Sequence, residues 1–190
     1  MQQRNNKVLK MVVVAMLSSI SYLLMLLDFP LPTFPVWLQI DFSEVPALIG
    51  AIIFGPVAGV LVELIKNILH YIIVGSMTGV PIGEFANFCA GVLYILPASY
   101  FFRKYRSIKG LTLGLVVGTV VMTGILSVLN YFVLLPAYAY FMNFSLPNEV
   151  IVTAIMPFNA LKGLLIMILT LVLFPKLIVW LNQRVNAHNV

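Results

Sequence analysis

The sequence predicts an all-α integral membrane protein built as a single domain, 1–190, of six transmembrane helices. Three observations carry this. Hydrophobic residues make up 62% of the chain and charged ones only 9%, against about half and a quarter in a soluble domain, and the mean hydropathy is +1.06. Apolar windows long enough to cross a bilayer recur along the whole chain. Apart from Lys66 and Lys162, the basic residues fall into three clusters whose spacing matches an even number of spans. Cytoplasmic loops collect Lys and Arg, so the net charge of +5 reads as orientation and not as a nucleic-acid surface.

In chain order, helices are expected at about 8–27, 44–55, 57–75, 82–102, 110–138 and 149–181. The first follows the basic start with Arg4, Lys7 and Lys10. Its apolar run is of span length and has no small-residue cleavage site before Asp28, which argues against a secretory signal peptide. Residues 45–75 are too long for one ordinary span and are broken at Gly55-Pro56, which predicts two short spans and a tight turn. Ser43 is the expected N-cap of the first, because Pro46 then falls in the first turn, where a missing N–H does no harm. At about 1.5 Å per residue the last two helices would run roughly 40 and 50 Å, so they tilt or project. Pro157 and Pro175 should kink the sixth or end its regular part. Gly110, Gly114 and Gly118 permit close helix approach, as do Ala15 and Ser19 on the first helix.

With Arg103, Lys104, Arg106 and Lys109 between helices four and five, and Lys176 and Arg184 near the end, four and then two spans separate the basic clusters. Both termini are then cytoplasmic. The outer segments 28–43, 76–82 and 139–148 contain no Lys or Arg. The first is a long loop with Pro30, Pro32 and Pro35, too proline-rich for a helix. From Val36 it alternates, with Leu38, Ile40 and Phe42 on one side and Trp37, Gln39 and Asp41 on the other. The apolar side should meet the bundle, while Gln39 and Asp41 can turn toward a ligand. This loop, 28–43, is expected to gate a site.

Ionisable groups at membrane depth are costly and face a bundle interior or a cavity. Glu63, Lys66, Asn67 and His70 share one face of helix three. Glu63 and Lys66 should pair as a structural element in the cytoplasmic half, with Asn67 and His70 the members that reach a site. Glu84 opens helix four where the macrodipole favours a carboxylate, and Asn87 lies one turn on, as interhelical glue or a ligand contact. Counted from the outer helix ends, Asn130 is about 12 Å deep, and Asn159 and Lys162 roughly 16 to 20 Å. Lys162 has no acid at i±3 or i±4. It is expected to contact a ligand or cavity; the alternative is a structural bond to carbonyls or to Asn130. An enclosed amine beside two amides suits a neutral or electron-rich polar heterocycle.

Several classes are excluded. There is no Walker motif, no HExxH and no G-x-S-x-G, so no enzyme is expected. The single Cys89 lies in an apolar run, which leaves no internal disulfide and no metal cluster. Neither the inverted repeat of a self-sufficient secondary transporter nor the charged rings of a pore is present. What remains is a membrane-embedded binder of a small, polar, planar ligand entering from outside, with lipid as its other partner.

The chain resembles the S components of energy-coupling factor (ECF) vitamin transporters, and within them the riboflavin-binding kind. LQIDFSEVPALIGA at the end of the first outer loop, GPVAGVLVELIKNILH in helix three and GEFANF at the start of helix four carry the resemblance. Ala15-xxx-Ser19 is similar to the family's AxxxA contact motif, with Ser in place of the second Ala. The resemblance implies a bacterial, multi-pass cell-membrane subunit that binds riboflavin as transported substrate, with no cofactor. Its partners would be a transmembrane coupling protein, docked through Ala15 and Ser19, and two cytoplasmic ATPases. Family members are thought to topple in the membrane, with the first outer loop as gate. The isoalloxazine is then expected near Asn130, Asn159 and Lys162, and the ribityl chain near Gln39, Asp41, Glu84 and Asn87, with Leu38 and Asn67 also lining the site. A phosphate near Asp41 and Glu84 would be repelled, which disfavours FMN. The alternatives are an S component for another vitamin or precursor, such as thiamine or a queuosine base, and an intramembrane enzyme or scaffold.

Overall fold

The computed structural model describes residues 2–76, 78–143 and 145–187, with side chains described from 7 to 175 within those ranges. Arg4, Lys176 and Arg184 lie outside the described side chains. Seven helical segments account for nearly all of it: α1 Gln2–Met25, α2 Glu44–Phe54, α3 Pro56–Ile73, α4 Ile82–Tyr105, α5 Ile108–Leu129, α6 Leu135–Met142 and α7 Met156–Ala187. Among the described residues, five helical stretches are long and apolar enough to cross a membrane: Lys7–Met25, Pro56–Ile73, Ile82–Tyr105, Ile108–Met142 and Ile151–Pro175. The sixth, α2, has 11 residues, about 16 Å, or half of a hydrocarbon core of roughly 30 Å.

That short helix governs the architecture. Gly55 adopts φ +99°, a conformation that suits glycine, and Pro56 takes the first turn of α3, where its missing N–H is harmless. Lys10 Nζ reaches the Phe54 carbonyl at 3.3 Å, and an Arg103 Nη lies 2.9 Å from where a Cβ on Gly55 would sit. Two of the basic clusters therefore meet at one end of the bundle. From that end α2 extends only part of the way back, so its N-terminus and the chain entering it are held inside the protein. Irregular backbone at membrane depth is tolerated only in that situation.

The first outer loop is a small hairpin. Strands β1 (Phe29–Pro30) and β2 (Gln39–Ile40) pair antiparallel, Phe29 opposite Ile40 and Pro30 opposite Gln39. The loop packs on α7 through Phe34 and Phe158, whose rings meet edge-on at 5.6 Å. Alternation holds as far as Gln39, which is exposed, and Ile40, which is fully buried. It then fails: Asp41 is also buried, at 3% exposure. The extended strand ends at Ile40, and the Asp41 carboxylate turns inward.

Helices α4 and α5 pack closely because their contact is made of small residues. A Cβ on Gly118 would lie 2.6 Å from the Tyr94 carbonyl oxygen, and one on Gly114 2.7 Å from Ala98 Cα. Gly163 on α7 does the same against Thr119 on α5, at 2.7 Å. Tyr94, fully buried, donates its hydroxyl to the Gly163 carbonyl at 3.0 Å. Glycine at these positions lets neighbouring backbones approach and gain van der Waals contact.

Two π turns interrupt the long helices, at Asn130–Leu134 and Ile151–Ile155. Each precedes a proline by one residue, Pro136 and Pro157. The proline ring would clash with the carbonyl four residues back and offers no N–H. The ladder slips instead to i−5, Leu135 N–H to Asn130 O and Met156 N–H to Ile151 O. Continuous helix then runs through Met142, beyond the 138 expected, because the π turn absorbs Pro136 without ending the helix.

Candidate ligand site

At the start of α2 five ionisable side chains converge with almost no water access. Lys162 Nζ from α7 lies 3.0 Å from Asp41 Oδ2 and 2.8 Å from Glu44 Oε1. Lys66 Nζ from α3 lies 2.9 Å from Glu63 Oε2 and 3.8 Å from the same Glu44 oxygen. All five residues are at most 4% exposed. Burial opposes ionisation of Asp41, but Lys162, then Lys66, and two hydrogen bonds from Ser43 outweigh it and hold the carboxyl well below the usual carboxylate range. One of those bonds is Ser43 N–H to Asp41 Oδ1 at 2.9 Å.

This corrects three expectations. Ser43 stands at the N-cap of α2, but its hydroxyl does not cap; it accepts from Lys66 Nζ at 2.5 Å, and its carbonyl accepts from the Ser21 hydroxyl. Asp41 supplies the bond to the Ser43 N–H instead. Lys162 is bonded neither to carbonyls nor to Asn130: its partners are acids 121 and 118 residues away (162 less 41 and 162 less 44). Finally, the Glu63–Lys66 pair forms as expected, but Lys66 also touches Ser43 and Glu44. That face of α3 reaches the loop end of α2, not the half nearer Gly55.

A second polar group lies on α3 and α4. His70 Nδ1 and Glu84 Oε1 are 3.1 Å apart. Asn67 Nδ2 donates back to the Glu63 carbonyl at 2.8 Å. Among the described residues, Asn67 Oδ1, Asn87 Oδ1 and Glu84 Oε2 are buried acceptors without a donor. Such orphans are costly, and these three lie on α3 and α4. Asn130 opens the first π turn, its Nδ2 bonded to the Leu126 carbonyl at 2.8 Å. Asn159 is buried beside Phe158. Leu38 is half-buried, whereas Gln39 is exposed and held in β2, so the hairpin separates it from Asp41. Glu44 is the residue the sequence reading missed. Its signal was the count of buried ions: two lysines at membrane depth with one local acid between them require more carboxylates.

Residues 9–174 match the family described as ECF transporter, substrate-specific component. The chain belongs to this family. The S component is 50% identical over 187 residues to the riboflavin transporter FmnP of Bacillus subtilis (strain 168), covering 96% of this chain and 98% of that protein. It is 42% identical over 178 residues to the riboflavin transporter RibU of Staphylococcus aureus (strain TCH60), covering 92% and 93%. A solved S component of a bacterial ECF transporter superposes with a TM-score of 0.81 at 42% identity, over 93% of this chain and 98% of that one. These relatives are transporters, not enzymes, and the S component is a multi-pass bacterial membrane protein.

Proposed function

We propose that this S component captures riboflavin from the outer side of the membrane and delivers it inward with an ATP-driven coupling module. The observation that carries the reading is Lys162, a buried ammonium held between two carboxylates, in a chain half identical to a riboflavin transporter along nearly its whole length. An ammonium has three donors. Asp41 and Glu44 occupy two sides of it, which leaves one N–H for an acceptor on the flavin ring. Asn130 and Asn159 flank the ring. Ribityl hydroxyls are donors and suit the orphan acceptors of Asn67, Glu84 and Asn87. The hairpin over α7, with Asp41 as its inner end and Leu38 beside the site, acts as the gate.

FMN is disfavoured on the same ground. Asp41, Glu44 and Glu63 already crowd three acidic side chains around Lys66 and Lys162, and a phosphate would bring a further anion into the same buried site.

Delivery needs partners, because the chain has no nucleotide-binding motif: a transmembrane coupling protein and two cytoplasmic ATPases. Ala15 and Ser19 are exposed on α1, and Ser19 folds its hydroxyl back onto the Ala15 carbonyl at 3.0 Å, which leaves a shallow surface for a partner helix. Purified protein should quench riboflavin fluorescence on titration; colourless protein that does not quench sinks the reading. Ala15→Trp should leave that titration unchanged and abolish uptake in cells carrying the coupling module. Normal uptake would remove α1 from the docking face.

A further inference from the structure

We propose that Glu44 is a positioning residue for Lys162, the ammonium on which the riboflavin reading rests. No ligand contact is assigned to Glu44; it acts through the lysine. Its carboxylate is 1% exposed and sits at the first residue of α2, where the helix dipole favours a negative charge. It meets Lys162 Nζ at 2.8 Å, from α2, while Asp41 meets the same nitrogen at 3.0 Å, from the loop.

The two anchors differ in kind. Asp41 is carried by the hairpin that must move for a ligand to enter. Glu44 belongs to a helix tied at both ends, by the Lys10 bond to the Phe54 carbonyl and by the Ser21 bond to the Ser43 carbonyl. When the gate opens and Asp41 withdraws, Glu44 is the counter-ion that remains, and it keeps the ammonium charged and aimed at the site. Glu44 can do this because its other neighbour, Lys66, lies closer to Glu63, at 2.9 Å, and stands off from Glu44 at 3.8 Å.

The pairing geometry makes the test clean. Glu44→Gln removes one acidic side chain and leaves each lysine an acid within 3.0 Å, Asp41 for Lys162 and Glu63 for Lys66. The variant keeps the size of the side chain and should fold. Riboflavin titration of the purified full-length protein should then show the Kd raised about tenfold or more, with the thermal unfolding midpoint preserved. A merely structural role would move the midpoint and leave the Kd. The second arm is coupling. E44Q/K162A should bind no more weakly than K162A, because a residue that acts through Lys162 has nothing to position once Lys162 is gone. A native Kd in E44Q overturns the proposal, as does the same factor lost with alanine at 162 as with lysine. Should E44Q not fold, Glu44→Asp keeps the charge and withdraws it by one methylene; a Kd unchanged in that variant likewise overturns it. Native protein that binds no riboflavin overturns the function reading and this proposal with it, whereas native binding with an indifferent E44Q overturns this proposal alone.

Discussion

Among the described residues, two lysines are buried in the membrane-spanning part of this protein, and they are used differently. Lys66 is fully buried and pairs within its own helix, with Glu63 one turn back, and it adds the Ser43 hydroxyl. Each partner belongs to α3 or to the start of α2. Lys162 is nearly as buried, but both its partners come from distant chain, one on the hairpin and one on α2. The first region is closed on itself and acts as structure. The second is assembled across elements, one of which lies at the mouth of the bundle. A buried charge shared between a fixed helix and a movable loop is where occupancy of a site can be felt.

The comparison breaks first if the two lysines respond alike to removal. Lys66→Met leaves Glu63 buried without its cation and takes from Glu44 only the more distant of its two, and stranding a buried charge costs about 3–5 kcal/mol. The expected result is a large fall in the thermal unfolding midpoint in detergent, with the surviving folded fraction still binding riboflavin. A midpoint within a few degrees of native would show that Lys66 is not the keystone of its region. Lys162→Ala should do the reverse. Asp41 can turn outward with its loop, so stability falls less, while riboflavin affinity drops tenfold or more, or about 1.5–3 kcal/mol for a charged hydrogen bond. Unchanged affinity in a fluorescence titration would return Lys162 to a purely structural role.

The same contrast explains what was legible in the sequence. The Glu63–Lys66 pair is a spacing, i to i+3, and spacings on one helix can be read from sequence. So can the close helix approach that Gly114 and Gly118 permit, though not that α4 is the partner, and the break at Gly55-Pro56, because each depends on local residue type. The Asp41–Lys162–Glu44 contact depends on the depth at which α2 begins. The short helix itself is expected at 44–55 and observed at Glu44–Phe54, but which side chains of α3 and α7 stand at its N-terminus is set by packing, which no periodicity reveals. The alternation from Val36 holds to Ile40, and Asp41, expected to turn toward a ligand, turns inward onto Lys162: hydrophobic period says which face is apolar, not where a buried cation waits. The π turns were equally hidden. Pro136 and Pro157 signalled a disturbance, but a slip to i−5 and a kink are both ways to accommodate a proline, and packing chooses between them.

The smallest expected effect concerns the mouth of the site, and it carries a sign. Lys162 and the Ser43 bonds hold the Asp41 carboxyl below the usual range against the opposing effect of burial. A carboxyl depressed in the folded state contributes stability that is fully present above its unfolded value, about 3.9, and is lost as pH falls below that value. Stability should therefore be level with respect to Asp41 between pH 5 and 8 and decline only in more acid solution. The part due to this one residue is on the order of 1 kcal/mol, the net worth of an intramolecular hydrogen bond. Asp28, at the other end of the hairpin, moves the opposite way: partial burial, and then the charge of Asp41, raise its carboxyl. Its protonation as pH falls adds stability where Asp41 begins to lose it. Asp41→Asn should flatten the acid limb of the unfolding midpoint against pH, and Asp28→Asn should steepen it. An acid limb unchanged in Asp41→Asn would mean that the hairpin is held over α7 by Phe34 and Phe158 and not by its carboxylate, and would leave Glu44 as the sole lasting partner of Lys162.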